Sequence, residues 1–124
     1  MSYIDGFVVA VPAANKEAYR EVAALAAGIF REYGALEVME AWGEDVPHGT
    51  LTDFHRAVQA TAEEVVVLSW IVWPSREARD AGHAKFMADP RTQPMISGSA
   101  MPFDGKRMIF GGFAPIVHST GEAA

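Results

Sequence analysis

Cysteine is absent from this 124-residue chain, which excludes disulfides and thiolate metal sites. Positive charge is scarce: 10 lysines and arginines stand against 16 acids, for a net charge of −6. A surface that tracks nucleic-acid phosphates needs clustered cations, and Lys106-Arg107 is the only adjacent pair. Nucleic acid is therefore an unfavoured partner. No apolar run approaches the roughly 18 residues of a membrane span. The opening MSYIDGFVVAVP has neither a basic region nor a long apolar stretch of the kind a secretory leader carries. The expectation is a cytoplasmic protein with no membrane partner.

What is present describes a globular chain. Half the residues are hydrophobic and 21% are charged, enough for one domain with a real core. That domain is expected to span residues 1–118, with a frayed tail at 119–124. Tyr3–Val11 reads as a strand closed by Pro12. Asn15 is placed to cap a helix whose apolar stripe runs through Tyr19, Ala23, Ala26, Ala27 and Phe30, with Gly34 at its end. Ala35–Trp42 is a second strand, and Glu64–Trp73 a third, closed by Pro74. Ser75 caps a second helix to about Asp89, residues 91–105 read as irregular, and Arg107–Phe113 reads as the last strand. The order is βαββαβ: an α+β, ferredoxin-like sandwich with a four-stranded antiparallel sheet and two helices on one face.

The strands are apolar on both faces. In the third, Val65, Val67, Ile71 and Trp73 lie on one side and Val66, Leu68, Trp70 and Val72 on the other. Two helices cover only one face of such a sheet. The economical cover for the second is the same face of another copy, which predicts a homodimer through the sheets.

The stretches YIDGFVVAVP, GALEVMEAWGEDVP, VVVLSWIVWPSREARD, MADPR and MPFDGKRMIFGGF span nearly the whole chain. On them it resembles the YbaA-like bacterial family, a domain of unknown function in the dimeric α+β-barrel, ferredoxin-like group. The resemblance implies two sheets packed face to face, and it brings no catalytic residues with it. The wider group includes cofactor-independent monooxygenases, lactone isomerases, dehydratases and haem-dependent enzymes, with pockets in or beside the barrel. Such a likeness does not fix function.

Several residues could carry chemistry. Asp5, Glu37, Glu40 and Ser69 interrupt apolar strands, and a carboxylate facing an apolar cavity is a candidate acid or base. The plainer reading is a strand residue that reaches water or pairs with a cation such as Arg107. Trp42, Trp70 and Trp73 could line a pocket or simply fill core and interface. Trp70 and Trp73, three apart, point to opposite faces. His83, on the second helix, has a suitable ordinary pKa for acid–base work but no partner identifiable from sequence. Asp45, His48, Asp53 and His55 crowd a long 43–63 insertion without matching any metal-ligand spacing. No metal or cofactor is expected. The candidate pocket is thus Asp5, Glu40, Trp42, Ser69, Trp70, His83 and Arg107. The leading function is small-molecule binding or cofactor-independent enzymology beside the sheet. The alternatives are a non-catalytic dimeric scaffold and, third, an RNA-associated protein using Arg56, Arg91, Lys106 and Arg107.

Overall fold

The computed structural model describes residues 2–98 and 101–121. Four strands, β1 (Tyr3–Pro12), β2 (Glu37–Trp42), β3 (Glu64–Trp73) and β4 (Ile109–Phe113), pair antiparallel in the order β2-β3-β1-β4. Two long helices, α1 (Lys16–Glu32) and α3 (Arg76–Ala88), follow β1 and β3; α2 (Phe54–Ala57) and α4 (Gln93–Ile96) are single turns. This is the βαββαβ sandwich, with β1 and β3 central. No helix among the described residues is long and apolar enough to cross a membrane.

The helix boundaries follow local chemistry, with one exception. Ser75 is extended and its hydroxyl accepts from the Ala78 amide at 3.0 Å, as a capping residue should. Gly34 ends α1 at φ +111°, where a side chain would be strained. Asn15 does not cap α1. A 3₁₀ turn, Ala13–Asn15, runs directly into the helix, so Asn15 lacks the extended backbone a cap requires. Its amide instead donates to the Pro102 carbonyl at 2.9 Å. Residues 91–105 are more ordered than expected, with turns at Pro90–Thr92 and α4. A further turn, Gly105–Arg107, delays β4 to Ile109, because Asp104 accepts from the Lys106 amide and starts a 3₁₀ helix there. Of the expected tail, 122–124 lies outside the described residues.

Register sorts the two faces. Asp5, Ile71 and Val38 form one row across three strands, Phe7, Ser69 and Glu40 the next, and Val9, Val67 and Trp42 a third. These rows face α1 and α3 and hold most of the core, including Val9, Val11, Val67, Ile71 and Trp73. On the opposite face Val58, from the 43–63 insertion, packs with Ala10 and Val66. The insertion therefore covers one end of the second face. Beyond it Met39, Leu68, Ile109 and Phe113 remain exposed.

Candidate functional site

A cavity of about 320 Å³ lies between the sheet and the helices. Its existence follows from side-chain size. Where α1 crosses the sheet it presents Ala23, Ala26 and Ala27, which leave space that leucine or isoleucine would fill. The sheet supplies a firm floor of Phe7, Val9, Val38 and Ile71. The outer wall is softer, and comes from the segment after α3's midpoint: Met87, Met95, Met101 and Met108, with Phe103. Polar character is confined to Tyr19, Glu40, Ser69 and His83.

At one end, His83 Nε2 lies 2.7 Å from Asp5 Oδ2. Asp5 is buried on the central strand and also accepts from Trp73 Nε1 at 2.8 Å and Arg79 Nε at 2.9 Å. Burial alone would raise its pKa. The hydrogen bonds from His83 and Trp73, then the attraction of the His83 ring when it is protonated and the bond from Arg79, outweigh that and hold the carboxyl below its usual range. An ionised carboxylate has only acceptors, so the proton of the His83–Asp5 bond belongs to Nε2. In the neutral ring Nδ1 is then left as the basic atom. Nδ1 has no protein partner among the described residues. The ring is fixed sideways by Trp73 and Phe30, with centroids at 5.8 and 6.1 Å. Arg79 is itself held by Asp80 and lies over the Tyr3 ring, so Asp5 keeps a permanent counter-charge. Gly112 opposite Asp5 makes room for this: a side chain there would meet Tyr3 and Arg79.

The other polar pole is Tyr19, whose hydroxyl donates to Glu40 Oε1 at 2.6 Å, with Ser69 in the cavity wall beside the pair. Loss of solvation pushes the Glu40 carboxyl upward, and the neighbouring Tyr19 and Ser69 hydroxyls only moderate it. Glu40 sits on edge strand β2 and is still reached by solvent, so the rise is limited. Tyr19 is pushed far above its ordinary value by burial and by the adjacent carboxylate.

The residues singled out from sequence separate into four places. Glu40, Ser69 and His83 line the cavity, and Asp5 stands directly behind His83. Trp42 lines an adjoining groove. Trp70 lies on the opposite face, its indole donating to Glu37 at 3.0 Å. Arg107 is away from the cavity and pairs with Glu64 at 2.6 Å and Asp104 at 3.1 Å, not with Asp5. The fork of Arg107 draws Glu64 down to about 2. Asp53 caps α2, and His55 bonds the Val46 carbonyl while stacking on His48. Those residues hold the insertion together.

Sequence reasoning missed Arg79 and Tyr19. A signal for Arg79 exists: Arg76, Arg79 and His83 are spaced three and four apart, one face of a helix, which the buried Asp5 needs as counter-charge. Tyr19 is concealed because it also fits the apolar stripe of α1.

Comparison with known proteins places the fold and the family. The structure resembles that of SnoaB, a cofactor-independent oxygenase from Streptomyces nogalater, with a TM-score of 0.61 at 15% identity over 94% of this chain and 95% of that one. It also resembles a dimeric ferredoxin-like protein from an uncultured marine organism, with a TM-score of 0.62 at 10% identity over 96% and 100% of the two chains. At these identities the likeness is one of fold. The chain is 58% identical to the uncharacterized protein YbaA of Escherichia coli over 117 residues, covering 94% of this chain and 98% of that protein. The YbaA of Shigella flexneri matches to the same extent. Residues 2–105 match the model of a protein family of unknown function, DUF1428, and the chain belongs to that family.

Proposed function

We propose that this protein binds a small hydrophobic molecule in the cavity between sheet and helices, and that His83 takes a proton from it. One observation carries the reading: an apolar cavity of about 320 Å³ has in its wall a histidine oriented by a buried, charge-balanced aspartate. The volume falls near the lower end of ligand pockets, roughly 300–1,000 Å³. The Asp5 bond to Nε2 leaves Nδ1 as the base, and Asp5 stabilises the imidazolium that forms. A proton leaving carbon or oxygen at that end would develop negative charge beside the new imidazolium of His83, which lines the cavity. SnoaB, a cofactor-independent oxygenase, shares the fold, which is compatible with chemistry run by side chains alone.

The second sheet face supports a homodimer. Met39, Leu68, Ile109 and Phe113, from all four strands except β1, are exposed together, and a similar fold is described as dimeric. The RNA reading has less support: Arg56, Arg91 and Arg107 are each held by acids, Asp53, Glu32 with Asp89, and Glu64 with Asp104.

The test is a thermal-shift screen of hydrophobic small molecules, followed by proton–deuterium exchange of any stabilising compound watched by NMR. Wild type should accelerate exchange at one position of the ligand, and His83→Gln should bind the same compound without exchanging it. Stabilisation with no exchange in wild type would reduce the protein to a binder. No stabilising compound at all would favour the scaffold reading.

A further inference from the structure

The cavity does not end at Glu40. A second groove of about 250 Å³ adjoins it, and Tyr19, Ala23, Ala27, Val38 and Glu40 line both. This groove differs in charge: it contains Lys16, Arg20 and Trp42. Lys16 Nζ lies 5.3 Å above the Trp42 ring and forms no ion pair among the described residues. Arg20, one turn along the same helix, is paired among the described residues only with the exposed Glu17. Two cations thus gather at one end of an apolar cavity, in a chain whose net charge is −6.

Resting on the cavity reading above, we propose that the ligand is a hydrophobic acid. Its apolar body lies along the Met-walled cavity, and its anionic head lies in the groove against Lys16 and Arg20. The dimensions agree. Asp5 and Glu40 are two strands and one row apart, which is about 12 Å by ordinary sheet spacings. A body of that length reaches from His83 to the Tyr19–Glu40 pair, with its head just beyond. The single acid lining both spaces, Glu40, is engaged by the Tyr19 hydroxyl at 2.6 Å, which occupies one of its oxygens where the anion passes. The methionine wall adds a property of its own. Unbranched thioether side chains repack around differing shapes, so the site selects for an acidic head more strictly than for the form of the body.

Three probes of equal chain length separate the terms: decanoate, decanol and decyltrimethylammonium, each at submicellar concentration, measured by calorimetry and thermal shift. Decanoate should bind about tenfold tighter than decanol, the scale of one charge-assisted contact, and decyltrimethylammonium weakest. The double variant Lys16→Gln/Arg20→Gln, at two exposed positions, should bring decanoate to the level of decanol and leave decanol unchanged. Equal binding of decanoate and decanol to wild type, or a preference that survives the double variant, overturns the acidic-head proposal and leaves the cavity reading standing. Absence of binding by all three overturns both.

Discussion

Asp5 and Glu40 are both carboxylates on the helix-facing side of one sheet, yet their surroundings move them in opposite directions. Asp5 collects three donors, one of them a guanidinium, so its folded-state pKa is depressed. The stability it contributes is complete above the ordinary carboxylate value of about 4 and fades only as pH falls through the lower folded value. Asp5→Asn leaves Arg79 without its buried partner and should cost about 3 kcal/mol at pH 7. Urea unfolding at pH 7 and pH 3 should show the gap narrowing in acid; a gap independent of pH would mean the charge of Asp5 is not what is lost. Glu40 is raised, so it favours folding less when ionised, above its folded pKa, than when protonated. Glu40→Gln keeps an acceptor for Tyr19 and should raise Tm by about 2 °C at pH 7, with no gain near pH 4. A fall in Tm at pH 7 would contradict this.

At the level of elements, the approach of α3 to the sheet sets the geometry of the histidine. Gly82 is buried, and a Cβ at that position would fall inside the Trp73 indole, with the Tyr33 carbonyl 3.0 Å away. The glycine lets the helix sit close enough for the next residue, His83, to reach Asp5 on the central strand. Gly82→Ala must push helix or indole aside, an overpacking cost of about 1–3 kcal/mol. Because Trp73 also donates to Asp5, the displacement should loosen the His83–Asp5 bond as well. NMR of the His83 ring should therefore show a changed Nε2–H signal in Gly82→Ala, even where the variant folds. An unaltered signal together with lost stability would confine the glycine's role to packing.

At the scale of the whole molecule, the two faces of the sheet divide the work. The helix-facing rows form core and cavity; the other face is covered at one end by Val58 and open elsewhere. Phe113, 61% exposed at the end of an edge strand, and Leu68, 40% exposed on β3, stand on that open area. Sedimentation of the wild-type chain should give twice the monomer mass, and Leu68→Glu/Phe113→Glu should give the monomer with its far-UV spectrum kept. A wild-type monomer would remove the sheet-face dimer and require another cover for these side chains.

Much of this was legible in the residues themselves. Strand and helix periodicity, Pro74, Ser75 and Gly34 define βαββαβ because they act through local backbone chemistry, and the opposite placement of Trp70 and Trp73 follows from a period of two. Asp5 and His83 were each visible as chemical candidates. Their meeting, 78 positions apart in the chain, was not. It depends on how deeply α3 seats on the sheet, and so on one glycine against one indole. Likewise Asn15 left its capping role for a carbonyl 87 residues away, and Arg107 chose Glu64 over Asp5. The alanines of α1 read as ordinary stripe residues in sequence; only packing against the sheet turned their small volume into a cavity. Local preference determined the elements, and long-range packing decided which polar groups meet and where space was left between them.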